Sequence, residues 1–123
     1  MPVTRLIFFC DIEGSVPLLE WLDSLPKKAR AKCIARLQRL ALLGHELRRP
    51  EADFLRDGIY ELRVGLRGIN YRMLYFFHGQ IAAVVSHGLT KERMVPTAEI
   101  DLAIEGKRQF EAAPPMHTFE REL

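Results

Sequence analysis

The chain has 123 residues, enough for one domain with a modest core and too few for two domains of ordinary size. Its longest apolar runs, at residues 40–43 and 81–85, fall far short of the roughly 20 residues that a membrane-spanning helix needs. The chain does not open with a charged segment, an apolar stretch and a cleavage site, so no secretory signal is indicated. We therefore expect a soluble, cytoplasmic protein.

The net charge of +2 is small, but the positive charge is concentrated in the middle of the sequence. Residues 27–67 contain eleven basic and five acidic side chains, a balance of +6, whereas residues 1–26 and 97–123 each carry −3. Such a concentration indicates an anionic partner more clearly than the total charge does. The two cysteines, Cys10 and Cys33, lack a metal-ligand spacing, and we interpret both as reduced core thiols.

The first predicted elements are a strand and two helices. Residues 3–9 are rich in β-branched and aromatic side chains, which favours a strand. Apolar residues then recur at helical spacing after Pro17 and again after Pro26, and proline is tolerated in the first turn of a helix. The second helix is expected to run to about Leu43, with Gly44 at its C-terminus.

The second half of the chain is predicted to form a sheet. Residues 45–58 are polar and contain helix breakers, so we interpret them as a connecting loop. Residues 59–66, 69–77 and 80–87 have the patterns of three strands separated by short turns. Connections this short make the strands antiparallel neighbours, because a parallel crossover needs about a dozen or more residues. The sequence thus predicts a β-meander.

Pro96 begins a last predicted helix, with the acidic Glu99 and Asp101 in its first turn, where they complement the helix dipole. Two consecutive prolines end this helix, and residues 114–123 are expected to form a tail that is either disordered or a short docking segment. The predicted fold class is α+β: an N-terminal strand and a helical hairpin packed on an antiparallel meander, followed by a C-terminal helix. We expect residues 1–113 to form a single domain.

Two sets of basic residues are candidates for a binding surface. The first set projects from one side of the second predicted helix at spacings of four, four and three residues, and we call it the basic stripe. It consists of Lys28, Lys32, Arg36 and Arg39. The second set extends the charge to the predicted strands and consists of Arg56, Arg63, Arg67 and Arg72. A solvated surface and a phosphate-contacting surface are both open, although the planar fork of arginine suits phosphate well.

Two further residues have a structural and a functional interpretation. Arg72 interrupts an apolar strand, so its guanidinium must reach solvent, pair with an acid such as Glu61, or line a site. His87 ends the next strand and is either a structural residue or a proton-transfer group, since the pKa of histidine lies near neutral pH. The sequence has no paired Cys/His metal spacing, phosphate loop, nucleophile elbow or dinucleotide fingerprint. We therefore expect neither a metal nor another cofactor.

Four short motifs follow one another along the chain. They are DGIYELR at residues 57–63, YRMLYF at 71–76, HGLTKE at 87–92, and Pro96 followed by Glu99, Ile100 and Ala103. Their order and spacing resemble those of the RelE/ParE toxin superfamily, in particular its HigB-like, phage-derived branch. The resemblance covers roughly residues 3–112 and implies a RelE-like fold, with a single toxin domain over residues 1–113.

The resemblance also implies an activity and partners. Members are toxins encoded beside a cognate antitoxin, often one with a helix-turn-helix domain, and toxin and antitoxin can form a hetero-oligomer. Many relatives are endoribonucleases that cleave mRNA in the ribosomal A site and so inhibit translation. Such cleavage needs the 2′-hydroxyl to attack the adjacent phosphate, cations to stabilise the phosphorane, and groups that move protons, but it needs no metal.

Catalytic roles follow from family position. Arg63 and Arg72 would stabilise the phosphate, Lys91 would add charge or transfer a proton, and His87 is a candidate acid or base. This chain departs from the family pattern at Glu92, which stands where members have a second lysine. One cation of the catalytic set is therefore either absent or supplied by the arginine that follows.

The RNA-binding surface implied by the resemblance combines charge with aromatic rings. Tyr71 or Tyr75 would stack on a splayed base. The cations of this surface would be Lys28, Lys32, Arg36, Arg39, Arg56, Arg67 and Arg93. Three other functions stay open: a ParE-like gyrase poison, a non-catalytic protein that binds RNA or protein, and a degenerate toxin without activity.

Overall fold

A computed structural model describes residues 4–90 and 94–123. Its elements in chain order are β1 (Arg5–Phe9), α1 (Pro17–Asp23), α2 (Lys27–Leu43), a 3-10 turn (Gly44–Glu46), β2 (Ala52–Arg56), β3 (Ile59–Leu66), β4 (Ile69–His78), β5 (Ala82–Thr90), α3 (Thr97–Ala112), α4 (Pro114–His117) and β6 (Thr118–Phe119). The α+β class is confirmed, with its N-terminal strand, helical hairpin, meander and C-terminal helix. In the described part of the chain, every helix is too short or too polar to span a bilayer.

All six strands belong to one sheet in the order β2-β3-β4-β5-β1-β6. β3, β4 and β5 are antiparallel neighbours, which confirms the predicted meander. β1 lies beside β5 and runs parallel to it, with Arg5 opposite Ala82 and Phe8 opposite Val85. The sheet is therefore mixed. The long connection through the helical hairpin allows the chain to leave the sheet at β1 and to return at its far edge, on β2.

The sheet is covered on both faces, which explains why β4 is apolar on both sides. On one face, α1 and α2 pack over a core that includes Leu62 and Met73. On the other face, α3 packs over a second core that includes Leu74 and Phe76. We call these the hairpin face and the α3 face. The alternation of side chains along each strand assigns neighbouring residues to opposite faces.

The prediction of a loop over residues 45–58 is wrong for residues 52–56, which form the edge strand β2 and pair with β3 in antiparallel register. The connection from β2 to β3 is made by Asp57 and Gly58, whose φ angles are 51° and 82°. Two consecutive positive φ angles are typical of the type I′ hairpin turn, for which Asp-Gly is a preferred sequence. That dipeptide was therefore a signal for a further strand before residue 57.

The C-terminal segment docks along β1. Phe119 of β6 lies opposite Phe8, and the Cys10 amide donates a hydrogen bond to the carbonyl of His117 at 3.0 Å. The His117 ring stacks on Phe9 with their centroids 5.1 Å apart. This segment covers the outer side of β1, so the strand presents fewer unpaired backbone groups at that edge.

The two cysteines occupy different environments, and both are free thiols. Cys33 is buried between α2 and the sheet, and burial raises the pKa of its thiol to about 11. Cys10 is only half-buried at the end of β1. The prediction of core thiols therefore holds fully for Cys33 alone.

Candidate functional site

A cleft of about 530 Å³ opens on the α3 face, between β2, β3, β4 and the start of α3. Its charged lining residues are Asp53, Arg56, Glu61, Arg63 and Arg72. We call it the arginine cleft, since it brings together three of the arginines predicted from sequence. Glu61 and Arg63 alternate along β3 onto the same face, and Arg63 lies directly opposite Arg72 of β4.

Glu61 links the two central arginines. Its Oε1 lies 3.0 Å from Arg72 Nε, and its Oε2 accepts a hydrogen bond from Arg63 Nη2 at 3.3 Å. The Glu61 side chain is 5% exposed and that of Arg72 13%, whereas that of Arg63 is 39% exposed. The ion pair between Arg72 and Glu61, one of the interpretations open from the sequence, is therefore present, and Arg63 presents its guanidinium to the cleft.

A second carboxylate extends the network to the edge of the sheet. Asp53 Oδ2 accepts a hydrogen bond from Arg63 Nη2 at 3.1 Å and lies 2.9 Å from Arg49 Nη2. The hydrogen bond from Arg49 is the largest influence on Asp53 and lowers the pKa of its carboxyl. The carboxylates of Glu61 and Asp53 therefore both orient Arg63. The buried Nε of Arg63 has no hydrogen-bond partner among the described residues.

Arg56 lies at the mouth of the arginine cleft and pairs with two exposed carboxylates. Its guanidinium is 3.0 Å from Asp57 and 2.5 Å from Asp101 of α3. Arg56 donates a hydrogen bond to each carboxylate, and these bonds raise the pKa of Arg56, with the bond to Asp101 the larger influence. Arg56 thus ties the β2–β3 hairpin to α3.

His87 lies on the same face as Arg72 but does not line the arginine cleft. A β-bulge between β4 and β5 places it beneath the first turn of α3, beside a cavity of about 240 Å³. Its Nδ1 lies 2.8 Å from Ser86 Oγ, and its Nε2 lies 3.1 Å from Glu99 Oε1. Burial lowers the pKa of His87 more than Glu99 raises it, so the neutral ring is favoured.

The arginine half of the basic stripe is held by internal contacts. Glu51 accepts a hydrogen bond from Arg39 Nη2 at 2.8 Å and lies 3.4 Å from Arg36 Nε. The hydrogen bond from Arg39 is the main reason that the pKa of Glu51 is lowered. Arg36 also donates a hydrogen bond to the carbonyl oxygen of Arg63. This half of the stripe therefore supports the strand that carries the cleft.

The lysine half of the stripe is open. Lys28 and Lys32 are exposed, and neither forms an ion pair within residues 4–90 and 94–123. Arg67 is exposed in the β3–β4 turn, where its φ of 53° fits the hairpin geometry. Lys91 and Arg93 lie outside the described residues.

The two tyrosines proposed to stack on a base belong to the core. Tyr71 is 5% exposed and packs edge-on against Trp21, with the ring centroids 6.4 Å apart. Tyr75 is fully buried and stacks on Tyr60 at 5.3 Å, and burial raises the pKa of its hydroxyl. Neither ring has an open face for a base, because both point to the hairpin face, which α1 and α2 cover.

Three residues near the cleft are not among the candidates from sequence, because the polar composition of residues 45–58 indicates a loop and hides β2. They are Arg49, Asp53 and Phe54. Recognising the Asp57-Gly58 turn would have placed Asp53 opposite Glu61 in a β2–β3 hairpin. Within the described ranges, no group of three or more His, Cys, Asp or Glu side chains is arranged to hold a metal ion.

Comparison with known proteins gives the family. Residues 20–108, more than two thirds of the chain, match the family described as "Phage derived protein Gp49-like (DUF891)". No curated protein matches the chain. The Gp49-like family is a RelE-like toxin family associated with toxin–antitoxin systems, and this association implies a cognate antitoxin as partner. The match includes every charged residue of the arginine cleft, and the chain therefore belongs to the Gp49-like family of phage-derived proteins.

Proposed function

We propose that this chain is a HigB-like toxin that cleaves mRNA on the ribosome without a metal ion and is neutralised in the cytoplasm by its cognate antitoxin. The observation that carries the proposal is the arginine cleft, where Arg63 and Arg72 lie opposite each other on adjacent strands. Two guanidiniums on one face of a sheet present several N–H donors to one phosphate. This is the arrangement that a developing phosphorane needs.

The proposed reaction is a transesterification within the RNA strand. The 2′-hydroxyl loses its proton to a base as its oxygen bonds to the adjacent phosphorus. The bond from phosphorus to the 5′-oxygen breaks, and that oxygen takes up a proton, so that a 2′,3′-cyclic phosphate and a 5′-hydroxyl remain. Arg63, which is 39% exposed, would contact the phosphate directly. Arg72 is more buried and would stabilise the phosphorane from beneath, with Glu61 fixing its orientation.

Proton transfer is the part of the mechanism that rests on family position alone. Lys91 would protonate the leaving oxygen or add charge, with Arg93 as a supporting cation. His87 can act as an acid or base only if α3 withdraws from it, because both ring nitrogens have partners at hydrogen-bond distance. With α3 in place, His87 instead helps to position that helix beside the cleft.

The open cations would hold the RNA backbone. Lys28, Lys32 and Arg67 are exposed, and such side chains bind phosphates with a strong dependence on salt. Arg36 and Arg39 would contribute less, since both are engaged with Glu51. RNA affinity should therefore fall more in a variant of the two lysines than in one of the two arginines.

The test is controlled expression of the chain in bacteria, alone and with its neighbouring gene, followed by growth curves and mapping of transcript 5′ ends. Arg63→Ala and Arg72→Ala should each lower the cleavage rate about 100-fold or more, as expected when a phosphorane loses one of its cations. Arg108→Ala is the matched control, since Arg108 is an exposed arginine of α3 that pairs with Glu105. In-frame cuts that persist in both cleft variants would contradict the proposal.

One observation favours a second candidate function, a protein that binds RNA or a protein partner without cleaving it. Glu61 and Asp53 already compensate part of the charge of the cleft arginines. For this candidate, growth arrest would survive Arg63→Ala and Arg72→Ala. Arrest with broken DNA and intact transcripts would instead indicate a gyrase poison, and no arrest at all would indicate a degenerate toxin.

A further inference from the structure

Phe54 stands out among the aromatic residues of the described chain. Its side chain is 51% exposed, and it is the only exposed Phe, Tyr or Trp within residues 4–90 and 94–123. It lies on β2, the outermost strand of the sheet, where one residue earlier Asp53 joins the arginine network. An exposed aromatic ring at the rim of a charged cleft offers a flat apolar surface on which a planar ligand can stack.

Phe54 separates two clefts. The arginine cleft lies on the α3 face, and a second cleft of about 450 Å³ lies on the hairpin face, lined by His45, Arg48, Arg49 and Tyr60. We call the second one the edge cleft. Phe54 and Asp53 line both of them. A ligand that continues from the arginine cleft around the edge of the sheet into the edge cleft must therefore pass over Phe54.

The ring of Phe54 is held in place by other aromatic side chains. Tyr60 packs against it edge-to-face, with centroids 5.1 Å apart and an interplanar angle of 68°. Tyr60 in turn contacts Phe77 at 5.3 Å, and His45 stacks on Phe77 at 3.6 Å. A ring supported in this way loses little conformational entropy when a ligand stacks on it.

The edge cleft also carries positive charge. Arg48 is exposed and forms no ion pair with any described residue, while the Arg49 side chain is 75% exposed and pairs with Asp53. The lining of the edge cleft thus contains two arginines and one carboxylate, which leaves it positively charged. A supported aromatic ring between cationic groups is the combination that binds single-stranded RNA, with the base on the ring and the phosphates on the cations.

We propose that Phe54 is the stacking platform for the base next to the reactive phosphate, and that Arg48 and Arg49 bind the following phosphate in the edge cleft. This proposal rests on the proposed function, since it assumes that single-stranded RNA enters the arginine cleft. It gives the stacking role, which the buried Tyr71 and Tyr75 cannot fill, to a residue of the edge strand. The recognised ligand is any of the four nucleobases of single-stranded RNA together with its flanking phosphates, because stacking does not depend on the identity of the base.

The experiment measures binding of the purified full chain to a fluorescent single-stranded RNA of about 12 nucleotides, within the usual site size of such proteins. 2′-O-methyl groups prevent cleavage, and anisotropy reports affinity. Phe54→Leu keeps the apolar character and removes the ring, so affinity should fall about tenfold. Phe54→Trp should retain or increase affinity. Ile81→Ala is the matched control, since Ile81 is 63% exposed beside Arg5, toward the other edge of the sheet.

A second RNA series tests stacking directly. An abasic nucleotide replaces each nucleotide of the RNA in turn. When it replaces the nucleotide whose base stacks on Phe54, the original chain and Phe54→Leu should bind the RNA with the same affinity. Unchanged affinity in Phe54→Leu would overturn the proposal. The proposal would also be overturned if Phe54→Leu changed only the neutralisation by the neighbouring gene product and left RNA affinity unchanged. The ring would then belong to a contact with that protein. Thermal unfolding of each variant verifies that the fold is intact.

The two proposals fail in different ways. If RNA binding depends on Phe54 but no transcript is cut, the stacking platform stands and the nuclease does not. If transcripts are cut and cleavage needs Arg72 but not Phe54, the nuclease stands and the platform does not.

Discussion

Glu61 is the residue whose replacement tests the arginine cleft most sharply. Its side chain is 5% exposed and lies between Arg72 Nε at 3.0 Å and Arg63 Nη2 at 3.3 Å. Glu61→Gln keeps the shape of the side chain and removes its charge. The two guanidiniums would then be held close together with one compensating carboxylate fewer, and we expect the folded state to be destabilised.

The magnitude follows from how deeply each partner is buried. Removing one member of a fully buried ion pair costs about 3–5 kcal/mol, because the remaining charge is left without compensation. Here neither arginine is fully buried: Arg72 is 13% exposed, and Arg63 is 39% exposed and keeps its hydrogen bond to Asp53, so the cost is smaller. We therefore expect the free energy of unfolding to fall by about 2–3 kcal/mol, which lowers Tm by about 10 °C for a chain of this size.

The same substitution should have the opposite effect on RNA binding. The charge of the arginine cleft becomes more positive by one unit, and both arginines are released toward the phosphate. RNA affinity should rise, and it should depend more steeply on salt concentration. Glu61 would thus stabilise the fold at the expense of affinity for the ligand.

Urea unfolding followed by circular dichroism gives the stability, and anisotropy with the uncleavable RNA gives the affinity. Glu120→Gln is the control, since Glu120 forms an exposed ion pair with Arg5 far from the cleft and should change stability by less than about 1 kcal/mol. If Glu61→Gln is as stable as the control variant, the network does not hold Arg72 as we infer. If stability falls but RNA affinity falls with it, the arginines do not bind the phosphate.

Three further predictions concern the core and the α3 contact. Gly88→Ala should lower the free energy of unfolding by about 2 kcal/mol, because a Cβ at residue 88 would overlap the ring of Trp21; the fluorescence of this single tryptophan reports the shift. Tyr75→Phe should leave stability unchanged or raise it by up to about 1 kcal/mol in urea unfolding, because the buried hydroxyl has no hydrogen-bond partner among the described residues. For His87, burial lowers the pKa from its ordinary 6.5, so the unfolded chain binds the proton more readily, and stability present above pH 6.5 is lost as the pH falls. Urea unfolding at pH 7.5 and at pH 5 should show this loss, and His87→Gln should reduce it; an equal loss in the variant would assign the pH dependence to other groups.

Much of the fold was predictable because its signals are local. Helical spacing after Pro26 and the glycine at residue 44 bound α2, and Gly44 indeed has a positive φ of 54°. Alternation along residues 59–66 indicated a strand, and the short turn at Arg67 and Gly68 made its neighbour antiparallel. The same alternation placed Glu61 and Arg63 on one face of that strand, and their proximity follows from it.

The sequence by itself therefore determined most of the elements, their order along the chain, and which side chains of a strand or helix share a face, since these depend on periods of two and 3.6 residues. Only the tertiary structure decided which faces are covered: it buried Tyr71 and Tyr75 beneath the hairpin and His87 beneath α3. It also brought Asp53 to Arg63 from a different strand. The physical reason is that burial and ion pairing depend on distances through space, which packing sets and which periodicity along the chain does not contain.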